Sequence, residues 1–216
     1  NAWAVLESCR RESGGMMEQR TDAWFQARLG KATASRIADV MAKTKTGYGA
    51  SRENYLMELA LERITNAQAP FFTTAAMQWG IDQEPAARSA YEATTGNFVT
   101  EVGMIDHPTI PMSGASPDGF VGDDGLIEIK CPESKKHLKT LSTRKPDGDY
   151  VYQMQWQMAC TGRQWCDFVS YDPRFPDHLQ LIIVRVSRDD DMIAKVEKEV
   201  SVFLDEVTKT VERIAK

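Results

Sequence analysis

The stretch Ser116-Pro117-Asp118-Gly119, followed after the turn Gly122-Asp123-Asp124-Gly125 by Ile127-Glu128-Ile129-Lys130-Cys131-Pro132, decides how this chain is read. Asp-Asp-Gly is strong turn chemistry, and the segments on either side of it spell a β-hairpin. Successive strand residues point to opposite faces. Glu128 and Lys130 therefore share one face, Ile127 and Ile129 share the other, and the returning strand lies beside Asp118. The isoleucine face docks on a core. The other face gathers two carboxylates, which repel each other unless a cation sits between them. Hard divalent cations take oxygen ligands, and Mg²⁺ is usually held by one or two carboxylates while phosphate and water complete its shell. Lys130 would stand beside that cation, placed to orient or activate a water molecule. The plainer alternative makes Asp118 a turn residue, and Glu128 and Lys130 a solvated strand face.

Phosphodiester hydrolysis needs an activated water, neutralisation of developing negative charge and a stabilised leaving oxygen. Two metal ions bridged by one carboxylate serve all three needs. Asp118 is the candidate bridging ligand, Glu128 the ligand of the main ion, and the backbone carbonyl of Ile129 a further donor to it. A supporting acid is offered by Trp79-Gly80-Ile81-Asp82-Gln83-Glu84, where Glu84 would lean over the sheet from a helix. Asp82 is its rival in the same turn, and a solvent-facing helix acid is the plainer alternative for Glu84.

Composition bounds these readings. The 216 residues suit one domain over 1–216 with a sizeable core; 42 % are hydrophobic and 26 % charged. A net charge of -5 argues against non-specific coating of nucleic acid, yet 26 Lys and Arg can still cluster to grip DNA locally. No stretch approaches a membrane span or a secretory signal, so no membrane partner and a cytoplasmic location are expected. Cys9, Cys131, Cys160 and Cys166 form no CxxC pair, and with only His107, His137 and His178 available a zinc site is not expected; reduced, buried thiols are.

Along the chain, residues 1–20 give no secondary-structure expectation. Thr21 caps a helix through Leu29 that Gly30 ends, and Thr33 or Ser35 caps another to about Ala42. The loop Lys43 to Gly49 is basic and glycine-rich, suited to meeting phosphate. A helix from Ser51 to Thr65 is predicted to bury Tyr55, Leu56, Leu59 and Ile64. After Pro70-Phe71-Phe72 a long helix spans Thr74 to Thr94, interrupted or bent near Trp79-Gly80. Extended segments follow at Phe98–Ile105, Met112–Ala115, the hairpin, Cys166–Tyr171 and His178–Val186. Helices are predicted at Glu133–Leu141, Asp149–Cys160 and 189–215, the last with Asp189, Asp190 and Asp191 complementing the helix dipole. This order predicts an α/β (α+β) domain with one mixed central sheet flanked by helices.

Pro117-Asp118 with Glu128-Ile129-Lys130 resembles the PD-(D/E)XK nuclease signature, implying a restriction-endonuclease-like core. More closely, Leu29-Gly30 with Thr33-Ala34-Ser35, Trp79-Gly80 with Glu84, Ser116 to Gly119, and Glu128 to Pro132 resemble phage lambda exonuclease and its viral recombinase relatives over about residues 20–185. The resemblance implies digestion of linear double-stranded DNA from a 5′ end, release of mononucleotides and a 3′ single-stranded tail. It implies Asp118, Glu128 and Lys130 as metal and catalytic residues, Glu84 as supporting acid, and Mg²⁺ as cofactor, two ions per site, with Mn²⁺ as substitute. It places the 5′-terminal phosphate on Arg28, Ser35 and Ser116, chemistry a guanidinium and hydroxyls suit; a plain N-cap is the alternative for Ser35. Lys45 matches a cation in the DNA groove, and Met77 an apolar wedge between terminal base pairs; a surface lysine and a core methionine are the alternatives. Related nucleases turn a glutamine of the following helix towards the active site. Gln153 is that candidate, with Gln157 one turn below on the same face. A helicase-associated branch carries tyrosine where Gln157 stands, a departure that tells against that branch. A ring-shaped homotrimer and a single-strand annealing partner are implied by resemblance alone. The competing readings are a sequence- or structure-specific endonuclease on the same fold and a non-catalytic DNA-end-binding protein. Trp24 is either exposed to a partner or a buried anchor.

Overall fold

The computed structural model describes residues 18–45, 47–69 and 73–215; most of the segment 1–20, Cys9 and Pro70-Phe71-Phe72 lie outside them. Helix α1 (Asp22–Arg28) starts at Thr21, whose hydroxyl accepts the Trp24 N–H at 3.3 Å. Strand β1 (Ala32–Thr33) leads into a single 3-10 turn, Ala34–Arg36, and then α2 (Ile37–Met41). Thr33 opens that turn, and Ser35 lies exposed within it. The basic loop folds back on itself as β2 (Lys43–Thr44) against β3 (Gly47–Tyr48). Helix α3 (Ala50–Thr65) buries Tyr55 and Leu59 as predicted. Ile64 is 45 % exposed instead, because it shares a helix face with Met57 and Leu61, at i, i+4 and i+7, and all three point away from the core that Tyr55 and Leu59 enter.

Helix α4 (Ala75–Thr95) is capped by Thr74 and is not interrupted at Trp79-Gly80. One glycine weakens helix propensity but keeps its N–H and C=O in the ladder. The segment expected as one strand from Phe98 to Ile105 divides into β4 (Val99–Thr100) and β5 (Ile105–Asp106), which belong to different sheets. Then come β6 (Ser113–Ala115), β7 (Gly119–Val121), β8 (Gly125–Lys130), α5 (Ser134–Thr143), α6 (Gly148–Thr161), β9 (Trp165–Tyr171), β10 (Leu181–Ser187) and α7 (Asp190–Ile214). His178, expected in the last strand, belongs instead to a short 3-10 turn before it. Asp189 caps α7 by accepting the Met192 N–H at 2.9 Å.

Two mixed sheets replace the single one expected. A five-stranded sheet runs β10-β9-β8-β7-β4, with β8 parallel to β9 and the other pairs antiparallel. A smaller one runs β1-β6-β5. The break falls at Ser116-Pro117-Asp118, between β6 and β7, where proline has no N–H to give a ladder. On one face of the large sheet, Ala87 and Tyr91 of α4 pack on Val121, Ile127, Ile129 and Val169. On the other, Met154 and Met158 of α6 cover Leu126, Cys166 and Phe168. Behind α6 a third cluster joins its Trp156 to Ile37, Tyr55, Val200 and Phe203. This three-layer α/β/α arrangement buries both faces of β8.

Candidate active site

Strand alternation on β8 holds as the sequence predicts. Ile127 and Ile129 face α4, while Leu126, Glu128 and Lys130 face α6. At Glu128 the second face is closed to water, the residue being 1 % exposed. A carboxylate so buried needs donors, and α6 supplies them at i, i+4 spacing. Gln153 Nε2 donates to Glu128 Oε1 at 2.8 Å, and Gln157 Nε2 donates to Oε2 at 2.6 Å. Lys130 Nζ lies 2.5 Å from Oε1. The alternative of a solvated edge-strand face fails for Glu128 on burial alone.

Asp118 precedes β7, and its Oδ2 accepts the Ile129 N–H at 2.6 Å. Burial, then the neighbouring charge of Glu128, pushes its carboxyl well above the usual range; Lys130 pulls the other way and Glu84 adds to the rise. Burial would lower the pKa of Lys130, but the charges of Glu128 and Asp118 outweigh it and hold the ammonium above its ordinary value. Two carboxylates and one ammonium thus form a mutually dependent set.

Glu84 of α4 lines the same cleft, of about 700 Å³, as Asp118, Ile129 and Lys130. Arg20 and Arg88 grip it, the latter at 3.0 Å and itself paired with Glu101. Asp82 is exposed and tied to Gln78 on its own helix, so of the two acids Glu84 is the one that faces the cleft. Met77 also lines the cleft and is 41 % exposed, unlike an ordinary core methionine. Among the described residues no three His, Cys, Asp or Glu side chains converge as a metal cluster. The cleft offers the carboxylates of Asp118 and Glu84, with that of Glu128 behind Lys130 at its wall. This all-oxygen set fits a hard cation such as Mg²⁺, which needs only one or two protein carboxylates. Cys131, Cys160 and Cys166 are buried and free, with burial raising each thiol, Cys131 to about 12.

Beside Asp118 lies a second cluster. Arg28 Nη1 donates to Ser116 Oγ at 3.3 Å and Nη2 to Thr33 Oγ1 at 3.2 Å. Trp24 Nε1 also donates to Ser116 Oγ, at 3.0 Å, and the Arg28 guanidinium lies 4.2 Å from the Trp24 ring centroid. Trp24 is thus half-buried as a wall of this cluster, neither a free surface residue nor a core anchor. Ser35 is exposed in the adjoining turn and forms no hydrogen bond with Arg28 or Ser116. Lys45 is exposed between β2 and β3, away from these contacts.

The model of the YqaJ-like viral recombinase domain matches residues 23–164. The chain belongs to that family. The YqaJ-like chain is also similar to an alkaline exonuclease, LHK-Exo, from Laribacter hongkongensis, with 56 % identity over 90 % of this chain and 96 % of that one and a TM-score of 0.85. A second structure of LHK-Exo, in complex with dAMP, aligns at 57 % identity and the same TM-score. A phage-related exonuclease from Haemophilus somnus 129PT, 16 % identical over 85 % of this chain and 96 % of that one, shares the fold at a TM-score of 0.71. No curated protein matches. The YqaJ-like chain therefore has a mixed α/β fold of the PD-(D/E)XK type. Sequence reading missed Arg20 and Thr33. Arg20 reaches Glu84 across 64 positions, and no local pattern points there. Thr33 had a signal, its place in the Thr33-Ala34-Ser35 motif, but the sequence alone gives it no contact with Arg28.

Proposed function

We propose that this chain is a Mg²⁺-dependent 5′-to-3′ exonuclease that digests linear double-stranded DNA from a 5′-phosphorylated end, releasing 5′-mononucleotides and leaving a 3′ overhang for strand annealing. Family membership and the exonuclease relatives support a nuclease. The observation that carries the finer reading is that Ser116, hydrogen-bonded to Arg28, lies two residues from Asp118. End recognition and bond cleavage would then share one turn of chain. The dAMP complex of LHK-Exo supports the product class, a mononucleotide.

In this reading Arg28 and Ser116 bind the terminal phosphate, with Ser35 as a further hydroxyl from the adjoining turn. Asp118, Glu128 and the Ile129 carbonyl, with Glu84 in support, would hold one or two divalent ions, which when bound supply neutralisation of the phosphate and stabilisation of the leaving oxygen. Lys130 holds the attacking water. Gln153 steadies Glu128 through its hydrogen bond. Met77 stands in the cleft as a wedge for the terminal base pair, and Lys45 on its hairpin meets the DNA groove. Mn²⁺ would replace Mg²⁺ in the same oxygen set. A closed homotrimer around the duplex would keep the enzyme on its substrate and make digestion processive. A single-strand annealing protein would receive the tail, in the cytoplasm of a bacterial or phage-infected cell.

The test offers Mg²⁺ and matched linear 5′-phosphorylated, linear 5′-hydroxyl and closed circular duplexes. Preference for the first is expected, and Arg28→Ala should abolish that preference while leaving some turnover of the 5′-hydroxyl duplex. Cutting of the circle would establish an endonuclease instead. Binding of ends without Mg²⁺-dependent turnover would establish a scaffold.

A further inference from the structure

The buried glutamine Gln157 has no part in the proposed chemistry so far, although it donates a short hydrogen bond to Glu128. Glu128 Oε1 receives Gln153 at 2.8 Å and Lys130 at 2.5 Å, whereas Oε2 receives Gln157 at 2.6 Å. Lys130 lines the cleft and Gln153 is half-buried, while Gln157 is fully buried. Oε1 therefore lies on the side of Lys130, behind the cleft wall, and Oε2 points into the interior. Gln157 Oε1 is itself buried without a hydrogen-bond partner among the described residues, an uncompensated burial that a methionine of similar volume would avoid. The other end of its amide is thus the reason a glutamine suits this position.

We propose that Gln157 is a positioning residue, pinning Oε2 of Glu128 so that the carboxylate presents Oε1 alone to a divalent cation in the cleft. The inference rests on the proposed function and adds to it a residue beyond Gln153. A carboxylate turns easily about its last torsion. Mg²⁺ demands near-ideal octahedral geometry, so an acid free to offer either oxygen, or both, binds it less well. Partners that orient a metal-ligating carboxylate commonly matter by about ten- to a hundredfold in affinity or activity.

The experiment compares Gln157→Met and Gln157→Leu with Gln155→Met. Gln155 is a buried glutamine of the same helix that turns away from the site, donating to the Ser187 carbonyl and accepting the Asp189 N–H. Calorimetry with Ca²⁺ alone measures cation binding, and turnover of a linear 5′-phosphorylated duplex over a Mg²⁺ series measures kcat and KM. The Gln157 variants should fold, bind Ca²⁺ about ten- to a hundredfold more weakly, and need correspondingly more Mg²⁺ for half-maximal rate. At saturating Mg²⁺ their KM for DNA should be unchanged. Gln155→Met should lose thermal stability and keep wild-type Ca²⁺ affinity. Wild-type Ca²⁺ affinity in the Gln157 variants, an equal loss in Gln155→Met, or failure of both Gln157 variants to fold would overturn the role. A wild-type protein that binds Ca²⁺ but digests no duplex would sink the proposed function, and calorimetry of the variants would still decide the role of Gln157.

Discussion

Lys130 keeps its charge against burial because two carboxylates hold it there. Lys130→Ala should therefore remove two things together, the group proposed to hold water and the only ammonium between Asp118 and Glu128 among the described residues. We expect kcat to fall at least about a hundredfold, the scale of a lost proton-transfer or water-positioning group. DNA affinity measured with Ca²⁺ should stay within a few-fold of wild type, and a parallel collapse of both would contradict the assignment. The triad of Asp118, Glu128 and Lys130 was legible because strand alternation is a local rule: a ten-residue gap and a turn suffice to put the three together. Contacts that span the chain were not legible in the same way. Gln157 reaches Glu128 across 29 positions and Trp24 reaches Ser116 across 92. A helical glutamine and a helical tryptophan look ordinary until their partners are in place.

At the scale of elements, two junctions frame the site. Strand β6 runs so close to β5 that a Cβ on Gly114 would meet the Ile105 carbonyl oxygen at 2.5 Å. Backbone cannot yield as a side-chain tip does, so Gly114→Ala should cost about 1–3 kcal/mol through overpacking, read as a lower denaturation midpoint. At the end of β9, Asp172 is fully buried and accepts from Ser134 Oγ at 2.7 Å and from Arg174 Nε at 2.7 Å, tying the start of α5 to the sheet. Burial would raise its carboxyl, but these hydrogen bonds and the Arg174 charge prevail and hold it below the usual range. Its folded pKa thus lies under the unfolded value of about 3.9, so its contribution is complete above that value and is lost as pH falls through the folded pKa. Asp172→Asn should cost about 2–3 kcal/mol at neutral pH. Thermal melts of wild type and variant should converge below about pH 4; a constant gap down to pH 2 would contradict the linkage. Helix starts at Thr21, Thr74 and Asp189 were legible because a capping side chain acts on its own next turn. The split of Phe98–Ile105 into two sheets was not, since it depends on which distant strands are offered as partners.

At the scale of the whole molecule, the described residues hold no helix long and apolar enough to cross a membrane. The homotrimer belongs to the proposed function, and it has a direct measurement. Sedimentation equilibrium should return about three times the 24.3 kDa chain mass, and a monomer at working concentration would remove the basis proposed for processivity. The sequence by itself determined the class of the fold, the hairpin, and the acid–acid–lysine set on it, because turn chemistry and the two-residue strand period act over a few residues. The tertiary structure decided how that set is used. It buried Glu128 under two glutamines, drew Arg28 and Trp24 onto Ser116, chose Glu84 over Asp82 for the cleft, and divided one expected sheet into two. Each of these outcomes depends on packing and on hydrogen-bond partners from distant parts of the chain. Charge and burial at a site are properties of what surrounds it, and only the folded chain supplies those surroundings.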